Sequence, residues 1–332
     1  MNTGVKIAAF ATALAATFGT AYGVGQGVGP VVAEERPAAE HGEHEGAKPE
    51  KGEKRSAEKA DAAAPETPGG LQVSTGGYAL ALETPRVKAG DRTELRFSVK
   101  DDAGRNVTAY RREHGKELHF IVASRDLTVY RHLHPTRAAD GTWSTPAELP
   151  AAGGYRVFAD FKPSKQGADG VTLGADLAVG GDFEPAALPP VKATAEVDGY
   201  EVTLAGGLRS GAARELKLSV AKDGKAVTDL QPYLGAYGHL VALRSGDLAY
   251  LHVHPNGEPG DGVTEPGPEV SFTATAPSSG AYRLFLDFRH EGKVRNVAFT
   301  VHASGADGAA EPDKAPDKAE KGGKGESGDH AH

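Results

Sequence analysis

The chain contains no cysteine, one methionine at its first position and one tryptophan, Trp143. The absence of cysteine excludes a disulfide framework, thiolate metal sites and a cysteine nucleophile. Because the only methionine is Met1, a thioether site for Cu⁺ is excluded as well. Any side-chain metal ligands in this chain are therefore histidines or carboxylates.

The chain also lacks an excess of basic residues, since 37 Lys and Arg stand against 45 Asp and Glu for a formal net charge of −8. Most of that charge lies in residues 34–67 and 303–332, so the remainder is close to neutral and offers no basic surface to nucleic acid. We find no nucleophile elbow, HExxH motif or phosphate-binding loop. These absences predict a protein that is not an enzyme and has no nucleic-acid partner.

The segment 1–33 carries one charged side chain, Lys6, followed by an apolar run rich in alanine. This pattern is typical of an export signal peptide. The uncharged stretch is also long enough to serve as a membrane anchor if it is not cleaved, since about 20 apolar residues span a bilayer. Both interpretations place the rest of the chain outside the cytoplasm, secreted or anchored, with this segment as its only contact with the membrane.

Composition divides the remaining chain into two folded regions and their connections. Residues 34–70 and 303–332 are rich in Ala, Glu, Lys, Pro and Gly and predict a disordered linker and a disordered acidic tail. A proline-rich linker is predicted over 186–195. The folded regions between them are residues 71–185, called repeat 1, and residues 196–302, called repeat 2.

Both repeats consist of short alternating apolar segments separated by turns, in the same order. TELRFSV at 93–99 matches RELKLSV at 214–220, and Gly-x-x-Val-Thr follows at 104 and at 224. Seven or so short strands in about 100 residues are typical of an immunoglobulin-type sandwich. The predicted fold class is all-β, with two tandem immunoglobulin-like β-sandwiches between disordered N- and C-terminal tails.

The most specific repeated motif is His-x12-His-x-His-Pro, at 119–135 and again at 239–255. Each copy has two apolar runs around a short polar break, which predicts a β-hairpin. A two-residue turn would place the first and second histidines of each copy opposite each other, and the third shares their face because side chains alternate. The motif therefore predicts one three-histidine site per repeat: His119, His132 and His134 in repeat 1, and His239, His252 and His254 in repeat 2.

Three neutral imidazoles form a ligand set suited to Cu²⁺ or Zn²⁺. Asp160 and Asp287 occupy equivalent positions in a later strand, and each is a candidate fourth ligand or a group that orients an imidazole. The sequence thus predicts extracytoplasmic binding or buffering of a divalent transition metal. The alternative is a cell-envelope interaction or structural module, with a possible envelope protein as partner, in which the histidines serve packing. His114, His290 and His302 have no counterpart in the other repeat and are assigned no role.

The segments GGYRVFADF at 153–161 and GAYRLFLDF at 280–288, with the HLHP and HVHP motifs, resemble small extracytoplasmic domains of the YtkA-like and FixH-like kind. Similar motifs occur in secreted or membrane-anchored actinobacterial proteins that are mostly uncharacterised. The resemblance covers both repeats but not the tails. It implies a β-sandwich and, for some relatives, an association with metal handling.

Overall fold

The computed structural model describes residues 67–251 and 253–305, and within these ranges the regular elements are strands without an α-helix. No helix long and apolar enough to cross a membrane occurs in those ranges. Both repeats belong to a single compact unit. The predicted all-β class is confirmed. The predictions for residues 1–66 and for residues 306–332 fall outside the described ranges.

Repeat 1 is a sandwich of two sheets. One has the strand order β1-β2-β4-β9-β8, and the other has the order β3-β11-β10-β6-β7 with β5 beside β10. The strands are β1 (Ser74–Thr75), β2 (Tyr78–Leu82), β3 (Arg86–Lys88), β4 (Arg92–Asp101), β5 (Tyr110–Arg111), β6 (Leu118–Ser124), β7 (Tyr130–Leu133), β8 (Thr136–Arg137), β9 (Thr142–Glu148), β10 (Gly153–Pro163) and β11 (Val171–Gly180).

Repeat 2 has the same plan, with one sheet of order β12-β13-β14-β19-β18, in which β15 joins β14, and a second of order β17-β16-β20-β21. The strands are β12 (Thr194–Val197), β13 (Tyr200–Gly206), β14 (Ala213–Lys222), β15 (Lys225–Ala226), β16 (Gly238–Arg244), β17 (Tyr250–Leu251), β18 (Val253–Pro255), β19 (Glu269–Thr275), β20 (Gly280–His290) and β21 (Lys293–Ala303).

This strand order is that of an immunoglobulin-type sandwich, because strands A, B, E and D form one sheet and strands C, F and G form the other. In repeat 1 strands C, F and G are β6, β10 and β11, and in repeat 2 they are β16, β20 and β21; we call these the C–F sheets. Strand F, which is β10 or β20, begins with a tyrosine whose hydroxyl donates to a backbone carbonyl four residues upstream. Tyr155 Oη lies 2.8 Å from Ala151 O, and Tyr282 Oη lies 2.8 Å from Ser278 O. These two bonds are the tyrosine corners of the fold.

Each sandwich encloses its own apolar core, built from the inward side chains of alternating strands. In repeat 1 the rings of Phe97 and Phe120 stack with centroids 4.2 Å apart, and Trp143, the cross-strand neighbour of Phe97, lies parallel to it with centroids 6.3 Å apart. In repeat 2 the same region is occupied by fully buried aromatic residues, namely Tyr200, Phe272, Tyr282, Phe288 and Phe299.

The hairpin register differs from the predicted one by two residues. His132 lies opposite Ile121, not His119, and Tyr250 lies opposite Leu243. The turn has four residues because an aspartate within it, Asp126 or Asp247, accepts a backbone N–H two residues further on. Since a shift of two preserves the side of the sheet, His119 and His132 keep their predicted common face.

A third apolar cluster joins the two repeats by packing their C–F sheets face to face. Tyr130 of repeat 1 stacks on Phe285 of repeat 2, with ring centroids 4.1 Å apart and planes 7° apart. The equivalent pair, Tyr250 and Phe158, lies 5.7 Å apart on the other side. Each repeat therefore contributes one tyrosine and one phenylalanine to a reciprocal contact, and β6 is buried on both of its faces.

The connections to the repeats also pack on them. The Tyr250 N–H donates to Gly69 O, and the Gly70 N–H donates to Thr172 O, both at 2.9 Å, so residues predicted to belong to the 34–70 linker bridge the two repeats. Gly70 has φ 74°, and a Cβ there would meet the Phe158 ring at 2.5 Å. At the opposite end the Ser304 N–H donates to Leu208 O, so the fold extends past the predicted boundary at 302.

We expect Phe285→Ala to lower the free energy of unfolding by about 3 kcal/mol, because the change removes a stacked ring from the cluster between the repeats. Urea unfolding of the purified chain measures the change. The control Val263→Ala alters a side chain that is 83% exposed and should stay within about 0.5 kcal/mol of the unchanged protein. Equal effects of the two substitutions would contradict the role of this contact.

Candidate metal centre

The candidate residues are positioned by the C and F strands of both repeats. His119 lies on β6 and faces Asp160 on β10 across the ladder, and His239 lies on β16 and faces Asp287 on β20. These pairs are equivalent in the two repeats. Because the two sheets pack against each other, side chains from both repeats meet at one end of the interface.

Three histidines converge there: His119 and His132 from repeat 1, and His239 from repeat 2. One ring nitrogen of each lies within 4.8 Å of the others, so the three could hold a metal ion. The ring of His239 lies 5.5 Å from that of His119 and 4.6 Å from that of His132, measured between centroids. The centre is therefore shared between the repeats rather than contained in one hairpin.

His132 and Asp287 connect the repeats through a buried hydrogen bond. Nδ1 of His132 donates to Oδ2 of Asp287 at 2.8 Å, and the two side chains are 3% and 6% exposed. The other carboxylate oxygen, Oδ1, accepts from Asn296 Nδ2 at 2.8 Å. Asp287 thus fixes the orientation of His132 and turns its Nε2 toward the other histidines, as a carboxylate does for a metal-ligating imidazole.

The inner nitrogens of His119 and His132 form an electron-rich pair. His119 Nδ1 lies 3.1 Å from His132 Nε2, and the outer His119 Nε2 lies 3.4 Å from the carbonyl oxygen of Glu113. Since that carbonyl and the Asp287 carboxylate both accept, the outer nitrogens carry the protons, and two neutral rings then place lone pairs on both inner nitrogens. Those lone pairs repel unless a cation, either a proton or a metal ion, lies between them.

Two further ring nitrogens are buried without a partner in the described part of the chain. They are His239 Nδ1 and His134 Nε2. The ring of His134 lies 4.9 Å from that of His132 and 5.8 Å from that of His119. Leaving a buried polar nitrogen unpaired lowers the free energy of unfolding by about 1–3 kcal/mol. A bound metal ion would supply the partner that these two nitrogens lack.

The surroundings keep these imidazoles neutral. Burial, with the neighbouring His132, lowers the pKa of His119 to about 3. The same causes lower the pKa of His134 to about 4 and hold the pKa of His239 well below its usual value. Neutral imidazole is the form that binds a metal ion, so these ligands need no deprotonation at neutral pH.

The structure places the first and third histidines of the predicted second trio, His239 and His254, in different sheets. His254 is exposed on β18 and lies opposite Thr273 in the sheet that does not contain His239. In repeat 2 the strand paired with β16, which is β17, ends at Leu251, whereas the equivalent strand of repeat 1, β7, continues to Leu133. The earlier crossing moves the third histidine of the motif to the other sheet. His252 lies outside the described residues.

Asp160 differs from its equivalent Asp287 in its partners. Its Oδ1 accepts a hydrogen bond from Thr172 Oγ1 at 2.8 Å. Burial, together with the Asp160 carboxylate, raises the pKa of Tyr250 well above its usual value. Asp160 also lines a small cavity of about 30 Å³ beside His119 and His239, so it lies next to the centre.

The sequence interpretation missed His114, which lines the same cavity. Its ring centroid lies 6.2 Å from that of His119 and 6.3 Å from that of His239. A comparison of repeats cannot find this residue, because Leu234 stands at the equivalent position. Of the other unassigned histidines, His290 accepts or donates in a separate buried contact with Tyr200 Oη at 2.7 Å.

We expect the free energy of unfolding of the metal-free protein to fall as the pH drops from about 6.5 toward 4. In this range the unfolded chain binds protons at His119 and His239 that the folded chain does not, so stability increases with pH. Each such histidine contributes a slope of up to about 1.4 kcal/mol per pH unit. Urea unfolding at several pH values measures the slope.

His119→Gln should reduce this slope, whereas His302→Gln, on the exposed face of β21, should leave it unchanged. An unchanged slope in His119→Gln would show that His119 is protonated equally in the folded and unfolded chains.

No curated protein matches the chain. Solved structures that are similar to it include FdeC, an Escherichia coli adhesin, at 15% identity over 70% of this chain and 65% of that one, with a TM-score of 0.22. InvD of Yersinia pseudotuberculosis is 14% identical over 72% and 62%, with a TM-score of 0.22. The D0-D1 domain of intimin is 10% identical over 68% and 97%, with a TM-score of 0.21.

The chain thus spans less than two thirds of the FdeC and InvD structures. Similarity at this level assigns no function, and the fold class rests on the strand order. The predicted tandem immunoglobulin-like arrangement is confirmed, while the finer relation to YtkA-like and FixH-like domains stays a prediction. A family model described as "Domain of unknown function (DUF8832)" matches residues 72–170 and 195–305, and the chain belongs to this family.

Proposed function

We propose that the protein binds one divalent transition-metal ion, Cu²⁺ or Zn²⁺, outside the cytoplasm at a centre shared by its two repeats. The observation that carries this proposal is the convergence of His119, His132 and His239, with a ligand nitrogen of each within 4.8 Å of the others. Imidazole suits both ions, and the chain has no soft sulfur ligand for Cu⁺ apart from Met1. The proposed activity is binding or buffering, without catalysis.

Small movements would complete the geometry. A Zn–N bond of about 2.0–2.1 Å places neighbouring ligand nitrogens of a tetrahedral centre about 3.4 Å apart. His119 Nδ1 and His132 Nε2 are already 3.1 Å apart, so the main change is the approach of the His239 ring. Rotation about the side-chain torsions of a single histidine supplies a movement of this size.

The location proposed outside the cytoplasm rests on residues 1–33, whose charge and apolar run are those of an export signal or an anchor. Their pattern supports a secreted or membrane-anchored protein. A metal-binding function without cysteine suits this location, because histidine ligands are not lost to disulfide formation in an oxidising environment.

The second candidate function is a structural or interaction module of the cell envelope. The buried His132–Asp287 hydrogen bond favours it, because a doubly protonated His132 would donate to both Asp287 and His119. In that case a proton occupies the position that we assign to a metal ion. The two candidates differ in whether the purified protein takes up metal at neutral pH.

We expect the fragment 67–305, which lacks the tail histidines, to bind one equivalent of Cu²⁺ or Zn²⁺ per chain. His119→Ala and His239→Ala should each weaken binding by about 100-fold or more, since each removes a ligand contributed by a different repeat. Calorimetric titration against a competing chelator measures stoichiometry and affinity.

His254→Ala is the matched control, because it removes an exposed histidine of the same motif from the other sheet and should leave binding unchanged. A second equivalent that this substitution abolishes would support one site per repeat. No binding by the unchanged fragment would support the structural module.

Asp287→Asn should weaken metal binding by about 10- to 100-fold, because an amide orients His132 less strongly than a carboxylate. Asp160→Asn is the equivalent change in repeat 1, on a carboxylate that accepts from Thr172 Oγ1, and should change affinity by less than about threefold because Asp287 holds His132 Nδ1. The same competition titration compares the two. A larger loss of metal affinity in Asp160→Asn than in Asp287→Asn would show that Asp160 is the carboxylate that orients a ligand.

A further inference from the structure

His114 lies in a tight turn that is tied to the metal centre by its neighbour. Glu113 and Lys116 exchange two backbone hydrogen bonds, which leaves His114 and Gly115 as a two-residue loop with φ values of 52° and 75°. The Glu113 carbonyl is the group that His119 Nε2 contacts, and its carboxylate binds Lys162 Nζ at 2.8 Å. The contacts of Glu113 with His119 and with Lys162 therefore hold the turn in place beside His119.

Repeat 2 contains the same turn with a different side chain. Tyr233 and Ala236 exchange the two backbone hydrogen bonds, and Leu234 and Gly235 have φ values of 55° and 78°. Turns with two positive φ values favour Asn, Asp or Gly at the first loop position. Neither histidine nor leucine is required by the backbone, so the histidine at 114 needs another explanation.

The position of the His114 ring supplies one. The ring stands edge-on to those of His119 and His239, at interplanar angles of 62° and 75°. The three residues line the cavity of about 30 Å³, which is large enough for a single ion or water molecule. His114 is exposed, whereas His119 is buried, so His114 stands between the cavity and the solvent.

We propose that His114 is the solvent-side ligand of the metal centre, which raises its imidazole ligands from three to four. This inference rests on the proposed function. His119, His132 and His239 hold the ion from within the interface, and His114 closes the cavity over it from the turn. A four-imidazole set favours Cu²⁺ among the available divalent ions, in accordance with the order of their affinities for nitrogen ligands.

The test is Cu²⁺ bound to the full chain at one equivalent, compared between the unchanged protein and His114→Leu. Leucine is the residue that repeat 2 carries in the same turn, so the backbone accepts it. Electron paramagnetic resonance with nitrogen hyperfine analysis counts the imidazoles. We expect four in the unchanged protein, three in His114→Leu, and at least a tenfold loss of affinity.

His302→Leu makes the same chemical change on an exposed strand position and should preserve the spectrum and the affinity. His114→Asn, which suits the turn better than either residue, should reproduce the loss of one nitrogen. A Cu²⁺ spectrum that is identical in all four proteins would overturn the role of His114 and leave the three-histidine centre intact. Failure of the unchanged protein to bind Cu²⁺ would overturn the four-imidazole copper site, and failure to bind Zn²⁺ as well would overturn the proposed function.

Discussion

The contact between the two C–F sheets is the constraint on which the rest of the structure depends. Stacking of Tyr130 on Phe285, and the reciprocal contact of Tyr250 with Phe158, fixes one sandwich on the other. Without this packing His239 would lie on a separate domain from His119, and no three-histidine centre would exist. Packing of the apolar side chains therefore sets the distances among the histidines. The hydrogen bond from His132 to Asp287 is a further contact between the repeats.

The two repeats share a strand order but contribute different residues to the candidate metal centre. Repeat 1 supplies His119, His132 and the adjacent His134, whereas repeat 2 supplies His239 and the orienting Asp287. The equivalent aspartate, Asp160, accepts a hydrogen bond from Thr172 Oγ1. The sequence motif is nearly symmetric, yet the centre is not, because the third histidine of repeat 2 is carried into the other sheet by an earlier strand crossing.

Much of the fold followed from sequence pattern, since alternation of apolar residues and recurrence of landmarks such as Tyr155 and Tyr282 are local signals. The hairpin register did not, because turn length depends on how Asp126 and Asp247 bond to the backbone. The shared centre was also missed, since each motif was considered within its own hairpin. One signal was present: LHFIVA in β6 is apolar almost throughout, which is typical of a strand covered on both faces.

The reciprocal tyrosine–phenylalanine contact has the form of an isologous interface, of the kind that two separate identical subunits build about a dyad. In such a dimer every substitution occurs on both sides at once, so a histidine at position 114 would necessarily face a second histidine. When the two copies are joined in one chain, a substitution in one copy no longer has to occur in the other. His114 in one half and Leu234 in the other are an asymmetry that only a single chain carrying both halves can encode.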